Sequence, residues 1–347
     1  MENYKIVAER VIQKLLNTKD DPQANDHFNI ELWEWPQGVA MYSLYLYYKQ
    51  TKQNKYLDFI LDWYERRIAE GLPKKNVNTI APLLTMIHLY EQNKDMRYLS
   101  ICKEWARWII NDMPKTQEDG FQHITSDLVN DGQIWDDTLF MTVLFLAKMG
   151  KVTGNKEYIE ESIYQFLIHI KYLCDPVSGL WYHGWTFNGR HNFGGVFWAR
   201  GNSWYTAGIV ELLDIIDIQG SIRKYLIQML KNQVSMLCKL QDPSGLWHTV
   251  LDDNNSYLET SASASFAYGI LKAVRRGHIN NEYKEYAVKA VEGVISKIDQ
   301  TGIVYDVSNG TPLGNCTSRY NNIPCLPTAY GQGLAFLMLV EYLNNRE

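Results

Sequence analysis

DPVSGLWYHGW (175–185) and DPSGLWHTV (242–250) share one form: an acidic residue, a turn containing Gly, then apolar and aromatic residues. EDGFQHI (118–124) and DQTGIVYDV (299–307) repeat it more loosely. Their glycines, Gly120, Gly179, Gly245 and Gly302, stand 59, 66 and 57 residues apart. Such a period is long for common solenoid repeats but suits one helix hairpin plus a long loop. Apolar periodicity between the loops predicts helices near 4–17, 36–51, 54–70, 78–92, 95–112, 136–151, 156–173, 201–217, 220–240, 259–276, 281–298 and 326–345. Val, Thr and Ile do not gather into alternating runs, so no substantial sheet is expected, and loop segments such as 246–250 read at most as short strands.

Twelve helices make six hairpins, and six hairpins close into a ring with alternate helices inside and outside. The fold class expected is therefore all-α, an (α/α)6 toroid, with residues 1–347 forming a single domain. Antiparallel connections make all six inner helices run the same way. Those helices begin near Pro36, Asn78, Asp136, Gly201, Glu259 and Leu326, and the repeated loops precede four of them. Six N-termini, with their positive dipole ends, then face one cavity.

Composition narrows what that cavity can hold. Apolar residues make up 46% of 347 and charged residues 21%, enough for a real core and too apolar for a disordered chain. A net charge of −5 argues against nucleic acid as a partner, since a phosphate-binding surface needs a basic excess. One well-placed arginine still suffices for a small anion. The 11 Trp and 23 Tyr offer flat faces for stacking on sugars, and serve equally well as core filler. Cys102, Cys174, Cys238, Cys316 and Cys325 are odd in number and lack a Cys-x-x-Cys pair, which fits reduced thiols and a cytoplasmic location. The first residues lack the uninterrupted apolar core of a signal peptide, and no stretch of about 18 apolar residues suggests a membrane span.

The motifs that could carry chemistry fall at the inner-helix starts: WEWPQG (33–38), NVNTIAP (76–82), IWDDTLFM (134–141), FWARGNSW (197–204) and PTAYGQG (327–333). Asp136 and Asp137 read either as helix caps or as a catalytic acid whose pKa is raised by adjacent charge and aromatic burial. Arg200, flanked by Trp198 and Trp204, reads as a carboxylate clamp or as a structural stack on the tryptophans. His123 and His183 lie in the repeated loops as hydroxyl partners or ordinary loop histidines. No His-x-x-x-His or Cys/His cluster accompanies them, so no metal is expected. The chain has no P-loop, no GxGxxG before a strand and no GxSxG, and no cofactor is expected.

Together IWDDTLFMTVLFLAKMGKVTGN (134–155), DPVSGLWYHGW and FWARGNSWYTAGIVELL (197–213) resemble glycoside hydrolase family 105, the unsaturated rhamnogalacturonyl and glucuronyl hydrolases. WEWPQGVAMYSLYLYY (33–48) and PTAYGQGLAFLMLVEYL (327–343) fit the same family, so the resemblance spans nearly the whole chain. It implies an (α/α)6 barrel acting on small oligosaccharides whose non-reducing end is a 4,5-unsaturated uronic acid, rhamnogalacturonan-derived above others. It implies that one Asp protonates C4 of the double bond while water adds at C5. The matching acid is Asp137; Trp35, His183, Trp198, Arg200 and Trp204 match the substrate pocket, with His123 a weaker match. The resemblance makes Arg200 the partner of the uronate carboxylate, and Trp35 and Trp204 the sugar platforms. Where relatives carry a second pocket aspartate, this chain has Asn78, which hydrogen-bonds but cannot titrate. Two other readings compete: a different (α/α)6 carbohydrate enzyme, with two catalytic acids or a histidine pair, and a sugar-binding toroid without activity.

Overall fold

The computed structural model describes residues 4–18, 25 and 27–345. In chain order the helices are α1 (Tyr4–Leu16), α2 (Trp35–Thr51), α3 (Asn54–Glu70), α4 (Val77–Asn93), α5 (Met96–Asn111), α6 (Leu144–Thr153), α7 (Lys156–Leu173), α8 (Ala199–Ile215), α9 (Gly220–Leu240), α10 (Thr260–Arg275), α11 (Lys284–Ile295), α12 (Thr317–Asn321) and α13 (Ala329–Asn344). Helix α2 packs on α4, α4 on α6, α6 on α8, α8 on α10, α10 on α13 and α13 back on α2, which closes the ring. Outside it lie α1 on α13, α3 on α2, α5 on α4, α7 on α6, α9 on α8 and α11 on α10. The fold is an (α/α)6 toroid.

Burial explains which helices go where. Along α8 and α13 buried residues run almost without a gap, as suits a helix enclosed on all sides. Helix α3 instead buries Tyr56, Ile60, Trp63 and Tyr64, a single face at helical spacing. Close approach of the inner helices needs glycine. A Cβ on Gly269 would lie 2.7 Å from the Thr206 carbonyl oxygen of α8, and one on Gly38 2.7 Å from the Ala81 carbonyl carbon of α4. At the far end of the ring, Glu211 of α8 accepts hydrogen bonds from Tyr42 of α2 at 2.5 Å, and from Tyr268 and Lys272 of α10. This network is enclosed by side chains and fills the ring.

The loops at the near end depart from the periodicity in three places. β1 (Gln133–Trp135) pairs antiparallel with β2 (Gly184–Thr186), and β3 (Trp247–His248) with β4 (Leu258–Glu259). The first pair had no alternating signal, because three residues are too few to show a period. The third inner helix does not run evenly from Asp136. It opens with a wider π-helical turn, Leu139–Val143, before α6 begins. Such one-turn widenings concentrate at functional sites. Finally, α12 interrupts the connection between α11 and α13, where only a loop was expected.

Substitution Gly269→Ala sets a Cβ against the Thr206 backbone of α8 and should cost about 1–3 kcal/mol, read as a lower urea midpoint.

Candidate active site

Where the inner-helix N-termini converge, a cavity of about 220 Å³ opens, and Trp35, Asn78, His123, Asp137, Trp198 and Arg200 all line it. The strand pair β1–β2 builds its chemical centre. Pairing sets Trp135 opposite Gly184, and the Asp136 N–H donates to the His183 carbonyl oxygen at 3.1 Å. Asp136 and Asp137 are thereby held beside His183, which the sequence separates by more than forty residues.

Asp136 is fully buried, and neither of its carboxyl oxygens has an N–H or O–H donor of normal geometry. It does not cap the helix in the way its position suggested. Burial and the adjacent Asp137 charge push it well above the usual carboxylate range, so it is a neutral acid that can share its proton with Asp137. Burial pushes Asp137 up as well. The close contact with His183, with His123 and Asp136 nearby, outweighs that and holds Asp137 well below the usual range. The two carboxyls are thus pushed in opposite directions by their environments, the arrangement by which acid and base roles are separated.

His183 lies behind Asp137 rather than on the cavity wall, with Nε2 3.3 Å from Asp137 Oδ2 and Nδ1 2.8 Å from the Tyr320 hydroxyl. Burial and the Arg200 charge lower its pKa against the pull of Asp137. The expected contact between His183 and a sugar hydroxyl is corrected accordingly: its two nitrogens face protein. His123 stacks on Trp135, with ring centroids 4.3 Å apart, and its Nδ1 is 2.8 Å from the Thr138 hydroxyl. Burial lowers its pKa to about 4.

Trp204 is corrected too. Its side chain is wholly buried beside Phe140, its edge-on ring centroid 6.2 Å from that of Trp35, so it supports the platform and presents no face to the cavity. Trp35 faces the cavity and stacks on Tyr330 at 4.4 Å. Arg200 sits between Trp198 and Tyr330, 4.6 and 4.9 Å from the ring centroids. Its Nη1 donates to the Ser308 carbonyl and hydroxyl, and its Nη2 to the Asn309 carbonyl and Thr311 hydroxyl, both at 3.0 Å. The guanidinium fork is thus engaged by the 308–311 loop, and Nε is the buried nitrogen left without a partner. The arginine stacks on Trp198, as one of its two sequence readings expected, and its side chain also reaches the cavity wall.

Asn78 lines the mouth beside Glu34, whose carboxyl accepts from Ser126 at 2.5 Å and which burial raises. The wall also includes Trp135, Met141, Asp127 and the Gly310–Thr311–Pro312 corner. Trp135 stood inside a motif already singled out. The corner carries no periodicity and no recognisable motif, and only the ring closure brings it to the site. Asp136, Asp137 and His183 place donor atoms within 4.8 Å of one another, a juxtaposition that no sequence spacing announced. Among the described residues no fourth His, Cys or carboxylate belongs to this group.

Comparison with known proteins accords with this geometry. Residues 7–346 match Glycosyl Hydrolase Family 88. Unsaturated rhamnogalacturonyl hydrolase YesR of Bacillus subtilis is 31% identical over 318 residues, 91% of each chain. A crystal structure described as a possible member of the GH105 family from Salmonella enterica serovar Paratyphi A superposes with a TM-score of 0.96 at 44% identity, covering 99% of this chain and 94% of that one. A family 105 glycoside hydrolase from Clostridium acetobutylicum superposes with a TM-score of 0.85 at 25% identity, covering 99% and 100%.

His123 and His169 are both buried, and burial lowers each to about 4. Between that value and the free value near 6.5 the unfolded chain binds more protons than the folded one, so stability is present above about pH 6.5 and lost as pH falls towards 4. Each histidine should contribute a slope of about 1.4 kcal/mol per pH unit in that window, read from urea midpoints, and His123→Asn should flatten it.

Proposed function

The chain belongs to Glycosyl Hydrolase Family 88, and from that premise we propose that it releases the 4,5-unsaturated uronic acid from the non-reducing end of lyase-generated oligosaccharides, those of rhamnogalacturonan type above others. The observation that carries this reading is Asp137, a cavity-lining carboxyl backed by a neutral buried acid and a histidine. Hydrolysis by two opposed carboxyls would need a second acid across the scissile bond. Asp136 faces Asp137 instead, and Asp127, the other carboxyl on the wall, is exposed on the mouth loop.

In the proposed reaction the anionic substrate enters beside Asp137 and raises it, drawing the shared proton onto it. Asp137 gives that proton to C4 of the double bond, water adds its oxygen at C5, and the proton released by water returns to Asp137. The hemiketal formed at C5 opens by breaking the bond from C5 to the ring oxygen, which leaves a ketone at C5 and a hemiacetal at C1. That hemiacetal collapses to an aldehyde, its hydroxyl proton passing to the departing oxygen, so the partner sugar leaves and a keto uronate remains. Trp35 is the sugar platform, with Asn78 and His123 as hydroxyl partners. Asn78 offers an amide where related unsaturated uronyl hydrolases carry Asp, which bears on the preference for the leaving sugar. Arg200, its fork engaged by the 308–311 loop and with Glu259 3.9 Å from Nη1, supplies positive charge towards the uronate carboxylate. None of the five cysteines is paired, which supports a reducing, cytoplasmic setting. No helix among the described residues is long and apolar enough to cross a membrane.

The test is loss of ultraviolet absorbance from the conjugated double bond of unsaturated disaccharides. Turnover of rhamnogalacturonan-derived substrate is expected, and no loss with rhamnogalacturonan-, glucuronan- or glycosaminoglycan-derived substrates would sink the reading. Asp137→Asn should lower kcat by about 10²–10⁴-fold while binding, measured by calorimetry, persists. Arg200→Ala should raise KM most for the free uronate, with a smaller rise for its methyl ester because the 308–311 wall loses its anchor. Equal losses for both would show that the arginine is a wall anchor and not the partner of the carboxylate.

A further inference from the structure

We propose that Tyr320 is a positioning residue that fixes the tautomer of His183 and through it the protonation of Asp137, an inference that rests on the hydrolase reading above. Tyr320 lies on α12, in the same connection as the cavity corner Gly310–Thr311–Pro312, and is 1% exposed. Its hydroxyl accepts from the Gly314 N–H at 3.0 Å and has one hydrogen to give. The acceptors in reach are His183 Nδ1 at 2.8 Å and the Gly314 carbonyl at 3.4 Å, and the shorter contact takes it.

The remaining groups allow one assignment. Facing Nε2 is the Asp137 carboxylate, which can only accept. A neutral imidazole has one N–H, so the proton sits on Nε2 and Nδ1 becomes an acceptor that a hydroxyl satisfies. The ring lies between Trp198 at 4.2 Å and Trp135 at 5.1 Å. The titratable and charged groups around it are Asp136 and Asp137 before α6, His123 on the preceding loop and Arg200 on α8. Of these Asp137 alone is within contact distance of Nε2. Arg200 holds one end of the segment at 308–311 and Tyr320 the other, so the cavity wall and the partner of the acid are parts of one piece of chain.

Tyr320→Phe removes the hydroxyl and keeps the ring. The expected outcome is a fall in kcat of about ten-fold, with KM little changed and the acidic limb of the kcat profile moved to higher pH. Nitrogen-15 spectra of the wild-type protein should show His183 protonated on Nε2, and in the variant a mixture of tautomers. In a His183→Asn background the same change should alter residual turnover by less than about two-fold. The proposal is overturned if the variant alters KM alone, if its kcat loss persists undiminished without His183, or if the His183 spectrum is unchanged. The spectrum needs no substrate, so its failure is distinct from failure of the hydrolase reading, which wild-type turnover decides.

Discussion

Closing a ring of hairpins leaves the inner helices no freedom of direction. All six run the same way, so six positive dipole ends and the loops before them meet at one end of the molecule. Everything chemical follows from that convergence. Asp137, Arg200, Trp35 and Asn78 sit at the starts of four different helices, and no pair of them is close in sequence. The opposite end is held by the Glu211, Tyr42, Tyr268 and Lys272 network, whose hydroxyls and ammonium compensate a buried carboxylate.

Within the cavity, desolvation creates an asymmetry between neighbours. Two adjacent aspartates placed in water would both ionise. Here one is sealed away from donors and stays neutral, while the other meets a histidine and the cavity. A helix start is a poor place to keep an acid protonated, since its dipole favours the anion. The π-turn beginning at Leu139 and the strand pair beside it turn Asp136 inward, and exclusion of water then outweighs the dipole.

Much of the fold was legible because apolar periodicity and a recurring loop both report the same repeat. Gly120, Gly179, Gly245 and Gly302 marked the loops, and twelve helices fell between and around them in the order observed. The site was legible in part. Topology alone brought the starts of the inner helices, Asn78 and Asp136 among them, to one cavity, whereas only the family resemblance singled out Asp137. Trp204 could not be separated from Trp35, because a fully buried aromatic and a half-exposed one at the same kind of position look alike in sequence. Tyr320 and the Gly310 corner were silent for a different reason. They reach the site through a connection without regular period, and only three-dimensional closure decides what such a segment touches.

The filled far end of the ring makes the cavity a blind alley, and this has a consequence for the order of events. A sugar chain cannot thread through it, so only a terminal ring can reach Asp137 and action from the chain end is imposed by shape. The unit that enters first also lies deepest. In the proposed reaction the uronate seated at Asp137 lies inside the unit attached to it, and free uronate would then compete with fresh substrate for the same seat.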